Sequence, residues 1–117
     1  MPSTMIHEPG DVVLVAFSFT DQINSKKRPA VAISSREYNN QRQDLVIMAI
    51  TSRIWTNPDF QETPINHWQD AGLLKPSVIK PVMATIEKRL IQQGLGRLNE
   101  ADHRALGNRL RMILQLD

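Results

Sequence analysis

GDVVLVAF, residues 10–17, is apolar at every position after its Gly-Asp opening and rich in valine. A surface helix would interrupt such a run with polar positions, and a half-buried strand would alternate. An unbroken β-branched run of this length predicts a strand covered on both faces, over Val12–Phe17. Ser18 to Lys27 is polar, with Asp21, Asn24 and Ser25 as turn formers, and predicts an exposed loop longer than a tight hairpin needs. In SKKRPAVAISS, residues 25–35, a basic run passes at Pro29 directly into a small apolar stretch. Proline lacks a backbone N–H and is tolerated best at a strand start, so Pro29 is expected to begin a second strand that Ala30–Ser34 continues.

Asn39, Asn40 and Gln41 read as a turn, and Leu45–Thr51 as a third, nearly all-apolar strand, which together give an antiparallel meander. The stretch Arg53–Asp70 carries Trp55, Pro58, Phe60, Pro64 and Trp68, with one short strand around Phe60–Ile65. Gly72–Pro76 is a turn leading into Ser77–Ile86, which Pro81 demotes to an edge or bulged strand. Roughly five or six short strands result, within the usual range. The period then changes. Asn99 is placed to cap a helix whose first turn holds Glu100 and Asp102, and Leu106, Leu110, Ile113 and Leu114 form a stripe that packs on a sheet. Arg104, Arg109 and Arg111 fall late in that helix, where cations suit the carbonyl end. Gly107 weakens the helix and marks close packing. Strands followed by one terminal helix predict a small β-barrel closed by a helix, as a single domain over residues 1–117.

At 117 residues, 41% hydrophobic and 22% charged, the chain suits one globular domain. Its longest apolar runs are far shorter than the ~20 residues of a membrane-spanning helix. MPSTMIHEPG lacks the basic start and apolar core of a secretion signal, and no cysteine is present, so the expected location is cytoplasmic. Net charge is only +2, but Lys26, Lys27, Arg28 and Arg36 lie together with no acid between Asp21 and Glu37. Such a patch favours a polyanion, although charge alone favours the plainer reading of a solvated loop. His7, His67 and His103 have no metal-binding spacing, Gly94-Leu95-Gly96 lacks the third glycine of a dinucleotide loop, and no nucleophile motif occurs. No metal and no cofactor is expected.

Five blocks carry a resemblance: GDVVLVAFSFTDQ (10–22), KKRPAVAISS (26–35), DLVIMAITS (44–52), GLLKPSVIKP (72–81) and LGRLNEADHRAL (95–106). In this order and spacing they resemble the MazF/PemK family of type II toxins. The resemblance implies an SH3-like β-barrel with a C-terminal helix, a homodimer in the bacterial cytoplasm, and metal-independent endoribonuclease activity on single-stranded RNA restrained by a cognate antitoxin. It also places Arg28 on the family's catalytic arginine and Thr51 on its catalytic threonine. The chemistry suits them. Attack by a 2′-hydroxyl concentrates negative charge on a five-coordinate phosphorus, and fixed donors must meet it. A guanidinium offers a planar fork that stays charged, and a β-branched threonine holds its hydroxyl in a stiff rotamer.

One block departs from the pattern. Where some members of the family carry an Arg-x-Asp pair, this chain has Lys80-Pro81-Val82, so the acceptor of the 2′-hydroxyl proton is not identified by the resemblance. Lys80 becomes a candidate phosphate contact, with Lys26, Lys27, Ser52 and Arg53 as further groove candidates. Trp55 and Trp68 could stack on bases, but core or interface packing explains them more simply. The expected function is a sequence-selective endoribonuclease toxin. The rivals are a gyrase-inhibiting toxin of the same fold and an inactive RNA-binding module.

Overall fold

In this computed structural model residues 6–17, 26–54 and 61–116 are described. The valine-rich run forms β1, Asp11–Phe17, and the basic-to-apolar stretch forms β2, Lys26–Ala32. Then follow α1 (Arg36–Gln41), β3 (Asp44–Thr51), β4 (Thr63–Ile65), β5 (Ser77–Glu87), β6 (Ile91–Arg97) and α2 (Glu100–Leu114). The strands make one curled antiparallel sheet in the order β4-β5-β3-β2-β1-β6, with the expected meander β1-β2-β3 at its centre. Both faces of that centre are buried, as the run in β1 requires. Val12, Val31, Met48, Ile50 and Ile79 pack on one side with Leu106 of α2, while Val13, Val15, Ala30, Ala32 and Ile47 pack on the other with Leu45 and Ile86. Full burial of each such side chain stabilises by roughly 1.5–3 kcal/mol.

Several expectations are corrected. Pro29 lies inside β2 and not at its start, and β2 is a central strand. The expected turn at Asn39–Gln41 is the second half of α1. The Ser35 hydroxyl caps that helix by accepting from the Tyr38 N–H at 3.0 Å. Asn39 is fully buried: its amide donates to the carbonyls of His7 (2.8 Å) and Ser34 (3.0 Å) and accepts from the Ser34 hydroxyl. Its polarity therefore ties the N-terminal arm to the sheet instead of making a turn. After α1, the Arg42 guanidinium bonds Asp44 at 2.8 Å and holds that half-buried carboxyl below its ordinary value of 3.8.

The short strand expected around Phe60–Ile65 is β4, Thr63–Ile65; Phe60 lies outside the described residues, as do Trp55, Pro58 and residues 18–25 of the loop expected over Ser18–Lys27, whose Lys26 and Lys27 belong to β2 instead. β5 is bulged and internal. Its pairing with β3 jumps from Met48↔Met83 to Ile50↔Ile79, so Lys80, Pro81 and Val82 bulge opposite Ala49, where the missing N–H of Pro81 breaks no ladder. β6, IQQGLGR, was not expected at all. It pairs with β1, and the turn after β4 closes on it backbone to backbone. A Cβ on Gly72, which has φ +79°, would lie 1.9 Å from the Leu95 carbonyl oxygen, and one on Gly96 would lie 2.7 Å from the Ala71 carbonyl carbon. Only glycine permits that approach.

The Asn99 cap holds: its side chain accepts from the Asp102 N–H at 2.9 Å. The apolar stripe of α2 is only half used. Leu106 is buried and Leu110 partly so, but Ile113 and Leu114 are 37% and 49% exposed. The strand beneath the helix, β4, is three residues long, so the stripe runs past it. The helix arginines are engaged as Arg104 to Glu100 (3.2 Å), Arg109 to Gln61 (2.7 Å) and Arg111 to Asn108 (3.1 Å). Trp68 packs against the core.

Candidate active site

Burial along β2 falls in a step. Lys26, Lys27 and Arg28 are exposed, Pro29 is intermediate, and Ala30, Val31 and Ala32 are fully buried. The apolar half of the strand is clamped in the sheet centre and the basic half projects from it. β2 pairs with β1 along its whole length, Arg28 opposite Val15, whereas its pairing with β3 stops at Ala30↔Ala49. Pro29 explains the stop. The Ile33 N–H donates to the Val46 carbonyl at 2.9 Å, so odd-numbered residues of β2 aim their N–H groups at β3. Position 29 is the next donor but one in that series, and proline has no hydrogen to give. Past it, β2 and β3 lose their mutual hydrogen bonds while each stays held by its other neighbour.

The register that pairs Ala30 with Ala49 sets Arg28 across from Thr51, just beyond the ladder's end. Opposed residues in antiparallel strands share a face, so both side chains emerge on the same side of the sheet. Thr51 pairs in turn with Val78 of β5. Lys80, two residues along, falls on that face by alternation and is exposed. Lys26 shares the face of Arg28, and Lys27 takes the opposite one. Ser52 and Arg53 are exposed directly after β3. The structure thus gathers Arg28, Thr51, Lys80 and Lys26 on one face, sets Arg53 at its border, and leaves Lys27 on the other side.

The charges there are unanswered. Arg36, Arg42, Arg89, Arg97 and Arg104 each meet a carboxylate, and Arg109 and Arg111 each bond a side-chain amide. Among the described residues, the guanidinium groups of Arg28 and Arg53 have no such partner. Lysines do not discriminate, since none of those described is paired. Thr51 is half-buried, and its oxygen accepts the Arg53 backbone N–H at 3.1 Å. That bond orients the hydroxyl and leaves its hydrogen free to donate.

Elsewhere the chemistry is structural. Asp102, 2% exposed, accepts the N–H groups of Asn66 (3.1 Å) and His67 (2.8 Å), tying α2 to the turn after β4. The His103 ring packs on Gly10, and His67 lies 3.5 Å from Asp102. Among the described residues no three His, Cys, Asp or Glu side chains cluster as a metal site. A cavity of about 460 Å³ between the N-terminal arm and β6 holds none of the candidate residues. No described helix is long and apolar enough to cross a membrane.

A family model described as PemK-like, MazF-like toxin of type II toxin-antitoxin system matches residues 8–114. The chain belongs to this family. A search of curated proteins by sequence found no match. Among solved structures, a MazE–MazF crystal structure from Deinococcus radiodurans superposes with a TM-score of 0.77 at 18% identity, covering 97% of this chain and 100% of the other. The Mycobacterium tuberculosis toxin MazF-mt6 gives 0.74 at 18% identity over 92% and 98%. An endoribonuclease in complex with its cognate antitoxin from a mycobacterial species gives 0.74 at 16% identity over 96% of both chains. At such identities the shared property is the fold, a MazF-like barrel with a C-terminal helix.

Proposed function

We propose that this PemK-like, MazF-like chain is a sequence-selective endoribonuclease that cleaves single-stranded RNA without a metal. The observation that carries the reading is the pair formed where Pro29 ends the β2–β3 ladder: an Arg28 guanidinium with no partner among the described residues, set across from a Thr51 hydroxyl that accepts the Arg53 N–H. The pair is suited to a phosphodiester. The ribose 2′-oxygen attacks the adjacent phosphorus in line, the P–O5′ bond breaks, and the products are a 2′,3′-cyclic phosphate and a 5′-hydroxyl end. Arg28 meets the non-bridging oxygens with charge-assisted bonds and supports the departing 5′-oxygen; Thr51 adds one donor. Lys26, Arg53 and Lys80 hold neighbouring phosphates. Ser52 sits at the margin of the groove, and Lys27, on the opposite face of β2, is not assigned to it. Single strands are required because in-line attack needs a backbone free to rotate.

The same exposed cations suit an acidic, extended antitoxin segment that covers Arg28, and the working unit is a homodimer in the cytoplasm. The test incubates purified protein with a long single-stranded transcript in EDTA and identifies the chemistry of the ends. Cleavage with cyclic phosphate ends is expected. Intact RNA together with loss of DNA supercoiling by gyrase would favour the gyrase-inhibiting alternative, and RNA bound but uncut would favour an inactive binding module.

A further inference from the structure

The reaction proposed above requires an acceptor for the 2′-hydroxyl proton, and the bulge Lys80-Pro81-Val82 supplies none. We propose that Glu62, immediately before β4, is that acceptor, a catalytic carboxylate brought to the groove from the edge of the sheet; the assignment rests on the RNA-cleaving reading.

Two independent observations point to Glu62. The first is register. β4 pairs with β5 through Thr63↔Ile79 and Pro64↔Val78, which sets Glu62 opposite Lys80, and Val78 pairs onward with Thr51. By alternation, Ile65, Ile79 and Ile50 turn to the core beneath α2, while Glu62, Lys80, Thr51 and Arg28 occupy the other face. Strands about 4.8 Å apart, with a rise of about 3.3 Å per residue, put the Cα atoms of Glu62 and Thr51 roughly 12 Å apart. Their side chains close part of that distance and leave room for one ribose and its 3′-phosphate.

The second is an unanswered oxygen. Glu62 Oε1 is shielded from solvent and has no hydrogen-bond partner among the described residues. Buried carboxylate oxygens are costly to leave unpaired, and nearly all buried polar atoms find a partner. Glu37 and Asp70, the other carboxylates with no hydrogen-bond or ion-pair partner among the described residues, are exposed and lie on α1 and in the turn after β4. The residue before Glu62 is also fixed: Gln61 has φ +55°, a left-handed conformation rare outside glycine, and accepts from Arg109 at 2.7 Å. Such local strain collects at functional sites.

In the step, Glu62 takes the 2′-hydroxyl proton as that oxygen bonds phosphorus. The P–O5′ bond breaks, the 5′-oxygen departs against Arg28 and takes a proton from solvent, and Glu62 returns its own proton to solvent. The test compares wild type, Glu62→Gln and Arg28→Ala on one RNA and on the same RNA carrying a 5′-bridging sulfur at the scissile bond, a leaving group that needs little assistance. Glu62→Gln is expected to cut ordinary RNA about 10²–10⁴-fold more slowly and to stay slow on the sulfur substrate, because the proton still has to be removed. Arg28→Ala should recover much of its rate there. Binding of uncleavable 2′-O-methyl RNA should be unchanged in Glu62→Gln, which a merely structural role would not predict. A rate within about threefold of wild type, or recovery on the sulfur substrate like that of Arg28→Ala, overturns the assignment. If Glu62→Gln fails to fold, Glu62→Asp takes its place, with a smaller loss and the same lack of recovery. Failure of wild type to cut either substrate would sink the RNA-cleaving reading itself and is seen before any variant is compared.

Discussion

Replacing Arg28 with alanine should separate catalysis from folding. The side chain is exposed, lies beyond the β2–β3 ladder, and has no hydrogen-bond or ion-pair partner among the described residues. Its removal should therefore change stability by no more than about 0.5 kcal/mol, the range of ordinary surface substitutions. For a domain of this size that is about 2–4 °C in Tm. The phosphorane loses its charged donor, and removing one preorganised donor of this kind lowers the rate by about 10²–10³. Arg28 can supply two bonds and a full charge, so kcat/KM should fall by about 10³ or more. Arg28→Lys should fall in between, since it keeps the charge and loses the fork. Arg97→Ala is the control: Arg97 bonds Asp11 and the Pro9 carbonyl from β6, away from Thr51, so this variant should lose a little stability and no cleavage. The assay is initial-rate cleavage of a labelled single-stranded RNA beside thermal melting of the same samples. A drop in Tm of about 10 °C for Arg28→Ala would make it a structural arginine, and unchanged cleavage would remove it from the mechanism.

Thr51→Val keeps the shape and deletes the hydroxyl; cleavage should fall about 10–100-fold with the fold intact, because the freed Arg53 N–H is exposed and water can satisfy it, and a rate equal to wild type would show that the hydroxyl is not a donor. Gly72→Ala should destabilise by several kcal/mol, about 3 or more, because its Cβ meets backbone at 1.9 Å where neither side can yield, while Gly94→Ala, with nothing within 4 Å, should stay within about 0.5 kcal/mol; equal melting of the two would refute the closure of the barrel described above. If Lys26, Arg28, Arg53 and Lys80 each hold one phosphate, log Kobs for uncleavable single-stranded RNA should fall against log salt with a slope of about −3, and Lys80→Ala should reduce that slope by about 0.7; a flat salt dependence would exclude the groove. Pro29→Ala restores a donor aimed at Ile50 while relaxing the unfolded chain, effects of about 1 kcal/mol each and opposite in sign, so Tm should hold as the ladder extends and cleavage falls; full activity with amide 29 protected from hydrogen exchange would show that the ladder's end does not matter.

The elements that announced themselves in the sequence were those whose local chemistry agrees with their place in the fold. β1 and β3 are apolar on both sides because both sides are covered, and α2 begins where Asn99 can cap it. β6 was invisible because it contributes little side-chain burial: two glutamines and two glycines serve as backbone, pairing with β1 and admitting the turn at Gly72. α1 was hidden because asparagine marks turns when its side chain serves its own backbone, and Asn39 serves His7 and Ser34 instead. Arg28 and Thr51 were legible as candidates through the family resemblance, but their opposition across β2 and β3 depends on register. Glu62 escaped notice for the same reason: its relation to Lys80 and Thr51 runs through two strand pairings that join residues far apart in the chain.

Pro29 shows how one residue can settle both stability and function. A central strand ordinarily bonds on both sides, and a proline within it forfeits a ladder bond, a cost of about 1 kcal/mol if the facing carbonyl keeps access to water. β2 tolerates the loss because the paired half, Ala30–Ala32, is fully buried, and because the basic half remains bonded to β1 from Lys26 to Pro29. The arginine is thereby held on one side and free on the other. A glycine at 29 would return the donor and loosen the backbone, and an alanine would return the donor as well; proline alone fixes φ and withholds the donor at once. The same residue that interrupts the sheet therefore aims the guanidinium, which explains why a basic run turns apolar at this position and not one residue earlier or later.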